Sequence, residues 1–151
     1  MKQTIKEKVA EIEVSYRPAI SRKPTIAAAL DAYNELLPFF PVETIALQER
    51  FVAMYLNRAN KVLGVYPISL GGMTGTVADV RLILSVALKI AATGIILAHN
   101  HPSGNLNPST ADKMLTQKIK EACSFLDISV MDHIILNLDG EYASFADGGI
   151  L

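Results

Sequence analysis

The period of apolar and polar positions changes several times along the chain, which predicts strands and helices in alternation. Residues 9–14 alternate between the two classes, as in a strand with one buried face. Apolar residues recur at helical spacing over 26–37, and Pro38 and Pro41 are expected to end that helix. Apolar runs on either side of the polar turn 57–60 then predict a pair of strands.

The second half of the chain has longer elements. Apolar residues at helical spacing predict helices over 79–93 and 109–126. Continuously apolar runs predict buried strands over 95–99 and 128–137, and a last short strand is expected over 141–145. Helices and strands interleaved in this order predict an α/β fold in a single domain, with one sheet covered by helices.

Composition and charge restrict the function classes. Half of the residues are hydrophobic and the net charge is −1, so the chain is globular and its charge gives no support to an association with DNA. Cys123 is the only cysteine, which excludes an internal disulfide and a multi-cysteine zinc site, and we interpret it as a small core residue.

The longest apolar run, 90–98, is too short to cross a bilayer, so we expect no membrane contact. Without a signal-peptide core, a cytoplasmic location is expected.

The densest group of reactive side chains lies in AHNHPSGNLNPSTADK, residues 98–113. His99 and His101 end a predicted strand, and because side chains alternate across an extended backbone, both imidazoles point to the same side. A loop with proline and glycine then turns the chain, and Asp112 follows on the first turn of the next helix. Two histidines and a carboxylate leave one position open on a zinc ion, as in catalytic sites, where zinc lowers the pKa of bound water to about 7.

The same segment also allows a purely structural interpretation. Ser109 and Asp112 fit the capping box, in which a serine and an acidic residue three positions later begin a helix. This interpretation is stronger for Ser109 than for Asp112, because the pattern prefers the longer Glu or Gln at the second position. Burial of two imidazoles without partners is costly, so the histidines are hard to explain in this way. We therefore favour a metal site.

Hydrolysis at such a site also needs a group that takes up a proton and passes it on. Glu49, at the start of a predicted strand, is the best candidate, and Glu43 in the preceding loop is its closest competitor. From the residues alone, a surface glutamate at the end of a strand is the simpler interpretation of Glu49.

The segment 99–112 resembles the JAMM (MPN-type) metalloprotease signature, in which His-x-His-Pro precedes a serine and then an aspartate. HNHPSG and PSTAD, together with DHIIL at 132–136, are similar to the RadC family within that group. The resemblance covers about residues 45–148. It implies a mixed sheet flanked by helices, related to the deaminase fold.

The resemblance also implies a role for each member of a five-residue set. By it, the zinc ligands are His99, His101 and Asp112. Glu49 would be the general acid/base, and Ser109 would help to stabilise the oxyanion. JAMM proteins cleave isopeptide bonds in ubiquitin-like conjugates, so a zinc-dependent hydrolase with a protein or peptide substrate is implied.

The N-terminal part departs from the family pattern. RadC proteins commonly carry an N-terminal helix–hairpin–helix module associated with DNA, and residues 8–34 show no such pattern. We divide the chain into 1–44, a strand and a helix packed on the same domain, and 45–151, a RadC-like metal-binding domain. The oligomeric state is not indicated.

Three other functions share part of this residue pattern. A zinc nucleoside deaminase would need further cysteines, and the single cysteine excludes it. Two histidines and a carboxylate also hold Fe(II) in oxygenases, but with a different spacing. The strongest rival is a scaffold or DNA-associated binding module with a structural metal, although a scaffold gives no reason to keep Glu49 and an open ligand position. His133 is interpreted as a structural residue or a support for a metal ligand.

Overall fold

The computed structural model describes residues 9–18, 23–72 and 77–151. Within them the chain forms three α-helices and five strands. The helices are α1 (Ala29–Leu36), α2 (Val80–Lys89) and α3 (Thr110–Ser124). The strands are β1 (Arg50–Leu56), β2 (Val62–Leu70), β3 (Gly94–Asn100), β4 (Ser129–Leu136) and β5 (Tyr142–Ser144).

The five strands form one mixed sheet in the order β2-β1-β3-β4-β5. The central pair β3–β4 is parallel and its connection runs through α3, whereas the other neighbours are antiparallel. Apolar residues on one face of the sheet pack against α2 and α3, and those on the other face pack against α1. The predicted α/β fold, a mixed sheet flanked by helices in a single domain, is confirmed.

The alternation of side chains within β1 and β3 builds two separate cores. Phe51, Ala53 and Tyr55 join the core beneath α2 and α3, while their neighbours in β1 join the core beneath α1. Cys123 of α3 is fully buried in the first core, and burial raises the pKa of its thiol to about 11. The thiol is therefore a neutral core side chain, as predicted.

The N-terminal strand that alternation predicts over 9–14 is wrong. Residues 10–18 have no regular secondary structure, and the apolar side chains of this segment, such as Ile12, are exposed. Alternation produces a strand only where a neighbouring strand accepts its backbone hydrogen bonds. Residues 1–8 and 19–22, which belong to the same predicted region, lie outside the described residues.

Helix α1 is shorter than predicted, because it begins at Ala29 and passes into a 3₁₀ turn over Leu37–Phe39. Its start is held by Asp31, whose carboxylate accepts hydrogen bonds from the backbone of Ala27 and Ala28. In the part of the chain that the structure describes, no helix is both long and apolar enough to cross a membrane.

The register of the sheet brings distant segments to one end of it. In the antiparallel pair β1–β3, Phe51 lies opposite His99, so the start of β1 meets the end of β3. The parallel strand β4 ends at the same place, and α3 begins there. The loop between β3 and α3 turns at Gly104, whose φ of +87° is in the left-handed region that favours glycine.

Candidate metal centre

Four side chains converge where β1, β3 and α3 meet. One ligand atom from each of Glu49, His99, His101 and Asp112 lies within 4.8 Å of the others. His99 is 2% exposed, and the other three side chains are between 14% and 16% exposed, so the group is mostly shielded but still in contact with solvent. Such a group has the composition and the access of a metal centre that a substrate can reach.

The two histidines come from one strand and its continuation. His99 lies within β3, and the backbone N–H of His101 continues the pairing of β3 with β4 by donating to Leu136. The extended backbone puts both imidazoles on the face that carries α3, as alternation predicts. Their Nε2 atoms lie 2.9 Å apart.

Asp112 serves two functions at the start of α3. Its carboxylate accepts from the backbone N–H of Ser109, and the Ser109 hydroxyl accepts from the backbone N–H of Asp112, which completes a capping box. The preference of the pattern for the longer Glu or Gln does not prevent Asp112 from completing the box. The same carboxylate lies 3.3 Å from His99 Nε2 and 3.2 Å from His101 Nε2, so capping and metal binding do not exclude each other.

A buried chain of hydrogen bonds determines the tautomer of His99. The Thr116 hydroxyl donates to the carbonyl oxygen of Asp112, 2.7 Å away, and therefore accepts from His133 Nδ1, 2.6 Å away. His133 Nε2 is then the acceptor for His99 Nδ1, at 2.7 Å. This direction of donation leaves His99 Nε2 with a free lone pair, which faces Asp112 and His101.

His133 stays neutral because of its surroundings. It is fully buried between Phe51, whose ring it meets edge-on, and Phe145, on which it stacks. Burial among apolar rings lowers the pKa of His133 well below its usual value, and the neighbouring His99 lowers it further. A neutral imidazole can accept from His99, which a charged one could not. The interpretation of His133 as a support for a metal ligand agrees with these contacts.

His101 is oriented by its own loop. Its Nδ1 lies 2.5 Å from the carbonyl oxygen of Asn105, to which it donates, so its Nε2 also faces the centre of the group. The hydrogen bond with Asp112 raises the pKa of His101. Burial by itself raises the pKa of Asp112, but its hydrogen bonds with His101 and His99 outweigh that effect. The pKa of Asp112 is therefore held well below its usual value, and the carboxylate stays ionised. Without a metal, a proton on His101 Nε2 would neutralise this carboxylate.

Glu49 precedes β1 and reaches the group from the neighbouring strand. Its Oε1 lies 3.6 Å from His99 Nε2, and its backbone carbonyl accepts from the N–H of Gly71 after β2. Glu43, the competing candidate, is exposed in the turn before it and is not a member of the group. The geometry therefore favours Glu49 over Glu43 as the acidic residue of the site.

Two supporting residues were missed by the sequence interpretation. Thr116 stands one helical turn after Asp112, a spacing that would have indicated a shared face of α3. Asn100 lies between the two histidines, where alternation correctly puts it on the opposite face of the sheet. No local pattern indicates what its amide binds.

Comparisons with known proteins place the chain in a family. The sequence model described as a RadC-like JAB domain matches residues 26–150. A protein of Flavobacterium johnsoniae named UPF0758 is 41% identical over 145 residues, which are 94% of this chain and 62% of that protein. A Porphyromonas gingivalis protein of the same name is 40% identical over 95% of this chain and 63% of its own length. The chain thus spans about three fifths of these relatives. It belongs to the RadC family and carries that family's JAB domain.

Proposed function

We propose that this domain is a zinc-dependent hydrolase of the JAMM type, which cleaves an amide bond, as a peptidase or isopeptidase, in a protein or peptide substrate. The proposal is carried by one observation: two imidazole Nε2 lone pairs and the Asp112 carboxylate converge beside a second carboxylate. Acceptors that face one another repel unless a proton or a cation lies between them. A divalent cation satisfies all of them together.

The spacing and type of the ligand atoms fit zinc. Two ligands on a tetrahedral zinc ion with bonds of about 2.0–2.1 Å are roughly 3.3 Å apart. The two imidazole Nε2 atoms are 2.9 Å apart, and the Asp112 carboxylate approaches them through different oxygens, with Oδ1 3.3 Å from His99 Nε2 and Oδ2 3.2 Å from His101 Nε2. Two imidazoles and one carboxylate are a common ligand set for catalytic zinc. When bound, the metal would act as a Lewis acid and lower the pKa of a water molecule in the site.

The chain's own residues supply the remaining chemistry. Glu49 has a mostly shielded carboxylate beside the histidines, where Oε1 can take up a proton and deliver it to the leaving amine. The Ser109 hydroxyl accepts from the Asp112 N–H, and its own hydrogen stays available to a substrate because the residue is exposed. Ser109 can therefore cap α3 and also donate to a carbonyl oxygen on which negative charge develops.

A second function is favoured by the position of Glu49. Its Oε1 lies close enough to the other ligand atoms to act as a fourth ligand, which would leave no open position. A closed site of this kind would be structural, and the domain would then be a scaffold or a DNA-associated binding module. In the hydrolase Glu49 transfers a proton and does not bind the metal, whereas in the scaffold it is the fourth metal ligand.

The deciding experiment compares the wild type with Glu49→Gln. Zinc content is measured by elemental analysis, and hydrolysis is measured on a panel of substrates with linear peptide bonds and lysine isopeptide bonds. The hydrolase predicts one zinc per chain in both proteins and hydrolysis in the wild type alone. Loss of zinc from Glu49→Gln, with no hydrolysis by the wild type, would establish the structural site. His99→Ala and Asp112→Ala should lose zinc in either case, and bound iron with oxygen-dependent turnover would indicate an oxygenase.

A further inference from the structure

Asn100, between the two histidines, makes three hydrogen bonds on the opposite face of the sheet. It is completely buried. Its Nδ2 donates to the carbonyl oxygens of Ile45 (2.7 Å) and Gln48 (2.8 Å). Its Oδ1 accepts from the backbone N–H of Arg50 at 2.7 Å. Every hydrogen bond of this side chain thus goes to the segment that precedes and begins β1.

These partners lie on both sides of Glu49. The carbonyl of Gln48 belongs to the peptide group before the Glu49 Cα, and the N–H of Arg50 belongs to the peptide group after it. With both peptide planes held by one side chain, neither φ nor ψ of Glu49 is free to rotate. The amide cannot be reversed, because its oxygen would then face two carbonyl oxygens.

The segment is held by its own turn hydrogen bonds and by the buried side chain of Ile45, but it has no pairing with β3 of its own. Residues 41–49 form turns and pair with no strand, and the regular pairing of β1 with β3 begins only at Phe51 and His99. One further hydrogen bond, from the N–H of Gly71 to the Glu49 carbonyl, comes from the residue that follows β2 on the other side of β1. The Asn100 amide extends the β1–β3 pairing by one residue, to the point where Glu49 leaves the sheet.

We infer that Asn100 is a positioning residue, which sets the Glu49 carboxylate over the metal centre from the opposite face of the sheet. The strand β3 then supplies two metal ligands on one face and the support for the acid/base residue on the other. The inference rests on the proposed function for the role of Glu49. The hydrogen bonds themselves are independent of it.

The first experiment uses the metal-free protein and measures amide hydrogen exchange over residues 45–50. Asn100→Ala removes all three hydrogen bonds, and Asn100→Asp keeps the size but turns an oxygen toward two carbonyls. Exchange in this segment should become at least tenfold faster in both variants. The control is Asn57→Ala, which removes two turn hydrogen bonds, to Ala59 and Lys61, at the other end of β1. It should leave residues 45–50 unchanged. If Asn100→Ala does not fold, hydrogen exchange over residues 45–50 is measured in Asn100→Asp alone.

The second experiment uses the protein loaded with Co(II), whose visible spectrum changes with pH according to the groups around the metal. Glu49→Gln should shift the pH midpoint of that change. Asn100→Ala, which adds no charge, should shift it in the same direction at unchanged cobalt content, and adding it to Glu49→Gln should produce no further shift. This absence of additivity is what a residue that acts through Glu49 must show.

The outcomes separate the inference from the proposed function. Unchanged exchange over 45–50, or a full additional shift in the double variant, would overturn the role of Asn100. A wild type that takes up no Co(II) would contradict the metal centre, and the exchange rates of the metal-free protein would still decide whether Asn100 holds the segment around Glu49.

Discussion

His99 Nδ1 lies 2.7 Å from His133 Nε2, so a buried imidazole on β4 is the acceptor for the most buried candidate ligand on β3. His133 is itself held by the Thr116 hydroxyl on α3. The candidate centre is therefore supported by three elements of the fold, and the tautomer of His99 depends on His133, which is not a member of the group. Supports of this kind commonly change metal affinity by about 10–100-fold when they are removed.

Thr116→Val is expected to weaken zinc binding about tenfold or more while the fold persists. Valine has the shape of threonine but offers no acceptor to His133 Nδ1, so the orientation of His133 and of His99 is no longer determined. Competition with a fluorescent zinc chelator measures the affinity. Thr93→Val, at the opposite end of β3, is the matched control and should bind zinc as the wild type does. Equal affinities in all three proteins would show that the hydrogen-bond chain has no influence on the metal.

Glu49→Gln is expected to reduce turnover by roughly two to four orders of magnitude, because glutamine keeps the size and polarity but takes up no proton. Turnover is measured on the substrate identified in the panel described above, with zinc content determined on the same samples. Glu43→Gln, in the exposed turn, should remain near the wild-type rate. The reverse pattern would assign the proton transfer to Glu43.

Zinc affinity is expected to fall as the pH is lowered from about 8 to about 6. A proton and zinc compete for His101 Nε2, and the hydrogen bond with Asp112 raises the pKa of His101, so the proton competes at a higher pH than for an ordinary histidine. Below that raised pKa, each pH unit should reduce affinity by about tenfold. Asp112 adds no competition in this range because its pKa lies far below it.

The variant Asp112→Asn removes the partner that raises the pKa of His101. Any zinc binding that the variant retains should therefore depend less steeply on pH near neutrality. Zinc titrations in buffers across this range provide the test, and an affinity independent of pH would contradict the assignment of His101.

Ser109→Asp separates the cap of α3 from the donor to a substrate. Aspartate accepts from the Asp112 N–H about as well as serine, so the melting temperature should stay near that of the wild type. An ionised carboxylate donates no hydrogen bond and repels an oxyanion, so turnover should fall by about a hundredfold or more. Thermal denaturation, turnover and zinc content are measured together, because a new carboxylate beside Asp112 changes the charge of the site.

Ser109→Ala is the companion variant. It loses both functions and should cost about 1 kcal/mol of stability in addition to the loss of rate. Near-normal turnover in Ser109→Asp would restrict Ser109 to the helix cap.

The grouping of His99, His101 and Asp112 could be predicted from the sequence because each relationship within it is local. His99 and His101 share a face through the two-residue period of a strand, and Asp112 falls on the first turn of the helix that begins at a recognisable cap. The central elements β3, α3 and β4 have long, regular apolar patterns, and their bounds in the structure lie close to those predicted. Over 9–14 the same reasoning is wrong, since a local pattern does not show whether a partner strand exists.

Residues that are distant in the sequence complete the group through contacts between strands, which no local pattern predicts. Glu49 reaches His99 through the register of β1 against β3, and Asn100 holds Glu49 across fifty residues of sequence. His133 lies on the face of the sheet that carries α3 because β4 has a bulge. One extra residue in the bulge puts Val130 and His133, three positions apart, on the same face. Register and bulges depend on the packing of both faces of a sheet at once, so no single segment specifies them.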